Sequence, residues 1–277
     1  MRPEDQEVPP LQRTSTHRFD VRAGDRFSTL LVMTSNAPDP YPVLVSVFLD
    51  YRQVEFRMDG RQGLLHYVEI PPDVDLETPI EVPIEGAGWH DLFVVVFRSP
   101  GQHPEAEGSR VPPHLAVGGR RTVVCSGSCT PVPTAPTDLL TGQPVEGHIM
   151  NVWAFALFAN DSRPPGHRLL LVSDEVCESQ YELELWASNP SEEMRDYLVI
   201  SLMDYRQVVF DSSSVLHLRM PPASQFFVSG RVLAPLTPGM HEFQFVSIAD
   251  PYRDLDKVSF IFVYSVMRSG IRGCGDR

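Results

Sequence analysis

Long hydrophobic runs, helical periodicity and lysine are all scarce in this sequence, and each scarcity excludes something. No stretch approaches the roughly 18 consecutive apolar residues that a membrane-spanning helix needs, and the longest, around 152–159, is about half that. Met1 to Thr16 carries acids and prolines where a secretory leader has its apolar core. The chain therefore reads as soluble, either cytoplasmic as written or extracellular after removal of a leader. Lysine occurs only at Lys257, arginine supplies the other basic groups, and 23 basic against 36 acidic side chains leave a formal charge of −13. That balance argues against nucleic acid or an anionic membrane as the main partner, because phosphate binding needs a positive patch. With 42% hydrophobic and 21% charged residues, most of the 277-residue chain has the composition of a packed protein and not of a disordered one.

Cysteine is sparse too. Cys125, Cys129, Cys177 and Cys274 are too few for a disulfide-stapled scaffold. Four cysteines allow three pairings, and the sequence does not choose among them. A zinc centre using all four would want close-spaced pairs, which one CxxxC and two distant cysteines do not supply. Structural cysteines, unpaired or disulfide-bonded, are the simpler reading.

What the sequence does have is an internal repeat. VLVSVFLDYRQVEF at 43–56 matches YLVISLMDYRQVVF at 197–210, with Asp50-Tyr51-Arg52-Gln53-Val54 recurring as Asp204-Tyr205-Arg206-Gln207-Val208. Ser35-Asn36 and Ser188-Asn189 precede the two copies. Leu65-His66 with Pro71-Pro72, and Leu216-His217 with Pro221-Pro222, follow them. GWHDLFVVVF at 88–97 then matches GMHEFQFVSI at 239–248, and His17-Arg18 has an echo in His167-Arg168. A fixed-period self-match of this kind signals repeated structural units. The expected organisation is a tail over 1–16, a first domain over 17–160, a linker over 161–166 and a second domain over 167–277. In that scheme 151–159 closes the first copy and 257–266 the second, so 98–147 is an insertion in the first.

Short runs of β-branched and aromatic residues separated by turn signals predict strands. In the first copy these are 27–34, 43–49, 53–57, 64–70, 78–84, 89–97 and 151–159. In the second they are 168–173, 180–187, 197–203, 207–211, 215–220, 226–233, 240–248 and 257–266. The 26 prolines would break most helices, and a parallel sheet would need crossover helices that the pattern lacks. The fold class is all-β: two tandem immunoglobulin-like antiparallel β-sandwiches related by internal duplication. Both parities of 89–97 are apolar, which predicts burial on both faces. In its counterpart Phe243 and Phe245 alternate with Glu242 and Gln244, which predicts one wet face.

The order of landmarks resembles bacterial immunoglobulin-like modules of the CARDB and fibronectin-III-like kind. The matching positions are Asn36, Asp50 and Gly88-Trp89-His90 in one copy, and Asn189, Asp204 and Gly239-Met240-His241 in the other. The sequence departs from those modules in having DYRQV where a glycine turn is common. The resemblance implies adhesion, scaffolding or spacer roles and carries over no catalytic residue.

Chemistry-bearing candidates are few. The turn motif Asp50, Tyr51, Arg52 and its repeat Asp204, Tyr205, Arg206 reads as a hairpin turn, with the aspartate capping its own turn backbone and the arginine paired locally or facing solvent. His66, His90, His217 and His241 read as structural, since no spacing puts two of them on one strand face in a metal pattern. Asp250, Asp254 and Asp256 form an oxygen-rich stretch that is a calcium candidate, although it lacks an EF-hand loop. No GxSxG, HExxH, Walker or dinucleotide-binding motif is present, so no enzyme, catalytic residue or cofactor is expected. Within the 98–147 loop, Arg120, Arg121, Val123, Cys125 and Cys129 are the interaction candidates, with a Cys125–Cys129 bond as the means of pinning the loop. The functional expectation is a non-enzymatic structural or interaction module whose partners are other proteins. The alternative is a carbohydrate- or calcium-binding β-sandwich.

Overall fold

In the computed structural model the chain forms two compact units. The residues described are 2–3, 18–35, 37–98, 100, 118–129, 139–140, 143–144, 154–158, 175–176, 180–189, 191–233, 235, 237–249, 251 and 268–273. Among them there is no helix, and hence none long and apolar enough to cross a membrane. The predicted strand run 168–173, the closing run 257–266, Cys177, Cys274 and the calcium candidates Asp250, Asp254 and Asp256 lie outside the described residues.

The first unit is built from β1 (Arg18–Val21), β2 (Arg26–Met33), β3 (Tyr41–Leu49), β4 (Arg52–Val54), β5 (Phe56–Met58), β6 (Arg61–Gly63), β7 (Leu65–Ile70), β8 (Leu76–Pro83), β9 (Gly88–Arg98) and β10 (Gly118–Ser126). One sheet runs β2-β8-β5-β6, with Arg2–Pro3 on the outer edge of β2. The other runs β1-β10-β9-β3-β4, with β7 also on β3. The pairings are antiparallel except β1 with β10, which run side by side in parallel. The period-two pattern of β2 sends Phe27, Leu31 and Met33 inward to meet Ile80 and Val82 from β8. Val43, Val45, Val47, Leu92, Val94 and Val124 close the same core from the opposite sheet, which makes the unit a sandwich.

The second unit follows with β11 (Ala154–Phe158), β12 (Gln180–Asn189), β13 (Arg195–Met203), β14 (Arg206–Gln207), β15 (Val215–Met220), β16 (Ser224–Leu233), β17 (Gly239–Ala249) and β18 (Arg268–Gly273). Its sheets run β15-β13-β17-β18 and β16-β12-β11, extended at their edges by short segments. Leu183, Leu185 and Val232 face Tyr197, Val199, Leu216, Leu218, Phe243 and Phe245 across the core. Each such side chain contributes on the order of 2 kcal/mol by leaving water.

Strand registers recur between the units. Leu92 lies opposite Leu49 as Phe243 lies opposite Met203. Gly88 faces Ser126 as Gly239 faces Gly273, and Val21 lies beside Ser126 as Val176 lies beside Gly273. This pattern corrects the expected boundary. Ala154–Phe158 pairs with β12 in the second unit and does not close the first. The strand that does close the first unit is β10, inside the segment read as an insertion, and its counterpart is β18. The connections that precede the closing strands, 99–117 and 250–267, are of nearly equal length, so the insertion disappears. In the sequence only 122–125 of β10 reads as β-like, enough for an added edge strand, because glycine and arginine dilute the apolar signal of the rest.

The wet face expected on β17 is also corrected. Glu242 and Gln244 are both buried, and so are Val246 and Ile248 in line with them. On β9, Phe93, Val95 and Phe97 are buried along with the core-facing Leu92 and Val94, as both-face apolarity required.

Candidate functional site

The repeated DYRQV motif forms a two-residue hairpin turn in each unit. Asp50 and Tyr51 have φ of 49° and 66°, and Asp204 and Tyr205 have φ of 47° and 65°. Two successive residues at positive φ give the type I′ turn, whose twist suits a hairpin and which usually recruits Asn-Gly. Holding a tyrosine there costs about 1 kcal/mol, so something must fix it.

The fixing contacts come from the strand next door. The Asp50 amide donates to the Asp91 carbonyl at 2.8 Å, and the Asp91 amide donates back to Asp50 Oδ1 at 2.9 Å. His90 Nδ1 donates to Asp50 Oδ2 at 2.8 Å, and the Tyr51 hydroxyl donates to Asp91 Oδ2 at 2.6 Å. In the second unit the Asp204 amide donates to the Glu242 carbonyl at 2.8 Å, and the Glu242 amide donates to Asp204 Oδ1 at 2.9 Å. His241 Nδ1 reaches Asp204 Oδ2 at 2.6 Å, and the Tyr205 hydroxyl reaches Glu242 Oε2 at 2.5 Å. The aspartate thus clamps the start of β9 or β17, correcting the expectation that it caps its own turn. Arg52 and Arg206 are exposed.

Asp91 and Glu242 are 1% and 2% exposed, so the tyrosine hydroxyls serve carboxylates cut off from water. Hydrogen bonding to Asp50 raises the pKa of His90 above its ordinary value, and the Asp50 charge and the Gly86 backbone push the same way against burial. In the second unit the far nitrogen of His241 meets the Thr237 carbonyl at 2.8 Å.

The other two histidines do not hold equivalent positions in their sheets. His66 sits opposite Val45 and turns inward, its Nε2 at 3.2 Å from the Phe56 carbonyl. His217 sits opposite Leu198 on the other face, with Nε2 3.1 Å from Asp196, which also binds Arg219. The Leu-His landmark is one residue out of step with the sheet, and a slip of one reverses the face. Tyr67, not His66, holds the position of His217.

Asn189 is buried, with its side-chain amide directed at the carbonyls of Glu193, Met220 and Pro221, and it organises the turn into β13. Asn36 lies outside the described residues. Cys125 and Cys129 form a disulfide at the exit of β10. Val123, at 4% exposure, and Cys125 are buried on β10. Arg120 and Arg121 stand opposite Val94 and Phe93 on the same strand. No group of three or more potential metal-ligating side chains occurs among the described residues. The clamp was legible only in part: the acid after each repeated histidine, Asp91 and Glu242, was the signal overlooked.

No family model and no curated protein matches the chain. Among solved structures it is similar to red sea bream transglutaminase at 6% identity and a TM-score of 0.26, covering 92% of this chain and 30% of that one. The calcium-binding domain CBD12 of CALX1.1 gives 12% identity and a TM-score of 0.23, with 92% and 96% covered. E. coli alpha-2-macroglobulin in its native conformation gives 11% identity and 0.29, with 94% and 16% covered. The chain spans under a third of the transglutaminase and a smaller part of the macroglobulin.

Proposed function

We propose that the protein is a non-enzymatic tandem β-sandwich module that holds or joins other proteins, of the kind its landmarks resemble among CARDB and fibronectin-III-like modules. One observation carries this reading. The most chemically suggestive cluster among the described residues, an aspartate, a histidine, a tyrosine and a second acid, is engaged in the same internal contacts in both units. A reactive site draws its groups toward a substrate, whereas these groups are directed at the neighbouring strand of their own sheet. Their job is to fix hairpin geometry, which suits a stiff spacer.

Thermal melts with millimolar calcium, with a panel of oligosaccharides and without additive test the reading. Superimposable curves are expected. A calcium- or sugar-dependent rise of several degrees would replace the proposal with a ligand-binding module. Turnover in a hydrolase panel that disappears in Asp50→Asn and Asp204→Asn would replace it with an enzyme.

A further inference from the structure

The clearest difference between the units lies at one sheet edge. In the second unit β15 pairs with β13 on one side and accepts Leu139–Leu140 on the other, in parallel, beside His217 and Leu218. His217 is 3% exposed there. In the first unit the corresponding strand is β7, and among the described residues it pairs with β3 alone. Its positions equivalent to His217 and Leu218 are Tyr67 and Val68. Tyr67 is 61% exposed, the largest exposed aromatic side chain among the described residues, and Glu69 beside it is exposed as well.

A strand edge offers a row of backbone donors and acceptors, and folded proteins usually blunt it with charge, proline or a covering segment. Added strands bind through these groups, and pockets for alternate side chains supply specificity. Here the molecule itself shows what such an edge takes: an extended segment with two adjacent leucines, in parallel, at the Tyr67–Val68 positions of the repeat.

We infer that the outer edge of β7 is a strand-addition site for an extended polypeptide segment carrying two adjacent aliphatic residues, bound parallel to β7 beside Tyr67 and Val68. The site deepens the interaction role proposed above and rests on it. Tyr67 would lie along the added strand as a large amphipathic contact, a type of side chain favoured at protein interfaces.

The test uses the whole chain and a dye-labelled synthetic peptide of residues 136–142, read by fluorescence anisotropy. Saturable binding is expected, lost when both leucines of the peptide are replaced by aspartate. Tyr67→Pro, which removes a backbone donor from the edge, is expected to weaken binding about tenfold or more. Should that variant melt abnormally, Tyr67→Lys places an edge-blunting charge without touching the backbone and is expected to weaken binding about threefold. Absence of saturation, equal binding to the Tyr67→Lys chain, or equal binding of the aspartate peptide overturns the site. So does self-association of the chain without capture of the peptide. Those failures leave the wider reading standing as long as the calcium and sugar melts stay flat, so the two are separable.

Discussion

The two hairpin clamps differ by one methylene group: the first closes on Asp91 and the second on Glu242. The aspartate, tyrosine and histidine are the same in both, and the distances agree within a few tenths of an ångström. Strand spacing therefore tolerates a longer acid, but the turn does not tolerate another way of holding a tyrosine at positive φ. The cores show the opposite behaviour. Gly230 lies opposite Leu183, and a Cβ there would meet the Phe210 ring at 2.2 Å. The Asp211 amide donates to the Arg231 carbonyl as the Asp59 amide does to that of Pro79, so the matching position in the first unit, opposite Leu31, is held by Thr78. Volume supplied by one side chain in the first unit comes from a distant ring in the second.

The largest break in that comparison should come from Gly230→Val. Overpacking against Phe210 is expected to cost roughly 3 kcal/mol, seen as a lower urea midpoint, and Phe210→Leu in the same chain should restore part of it. An unchanged midpoint would show that the ring moves freely. Next, Tyr51→Phe and Tyr205→Phe each strip a hydroxyl from a buried carboxylate, at about 2 kcal/mol apiece. Equal losses in chemical denaturation would make the clamps equivalent, and a clear inequality would show that the longer acid finds other support. Reducing the Cys125–Cys129 bond, or replacing both cysteines with serine, should lower stability by about 1–2 kcal/mol, because the closed loop is short. Among the described residues this is the only disulfide, and it lies in the first unit, so the melting of that unit should respond.

The smallest effect is one of pH. The folded state raises the pKa of His90, so its contribution is complete below the unfolded value near 6.5 and is lost as pH rises through the folded value. Asp50 is itself open to solvent, which keeps the contribution on the order of 0.5 kcal/mol. Stability measured from pH 6 upward should decline by that amount in the parent chain, and the decline should be absent in His90→Gln. Identical profiles would remove the charged pair from the clamp.

The class of fold was legible because alternation and proline speak directly to strands, and 89–97 announced its double burial through two apolar parities. The boundary was not legible. The echo of His17-Arg18 in His167-Arg168 put the break after 151–159 and made that run look like a closing strand, but strand pairing is a long-range choice that local sequence does not encode. Glu242 misled for a related reason: a carboxylate in an alternating run reads as a wet face, unless the tyrosine that will receive it is already known to sit opposite. His66 and His217 looked like one landmark and turned out to face opposite sides, because an identical dipeptide carries no information about register.

The parallel pairing of β1 with β10 sets how the first unit would bear a load. Arg18 to Val21 enters beside Val123 to Ser126, where the chain leaves, and the two strands point the same way. Tension drawn through the ends of this unit would slide the strands along each other, loading all the cross-links together. It would not peel them apart one at a time. A body made this way yields abruptly and at high force, and a single-molecule pulling trace would record one sharp rupture.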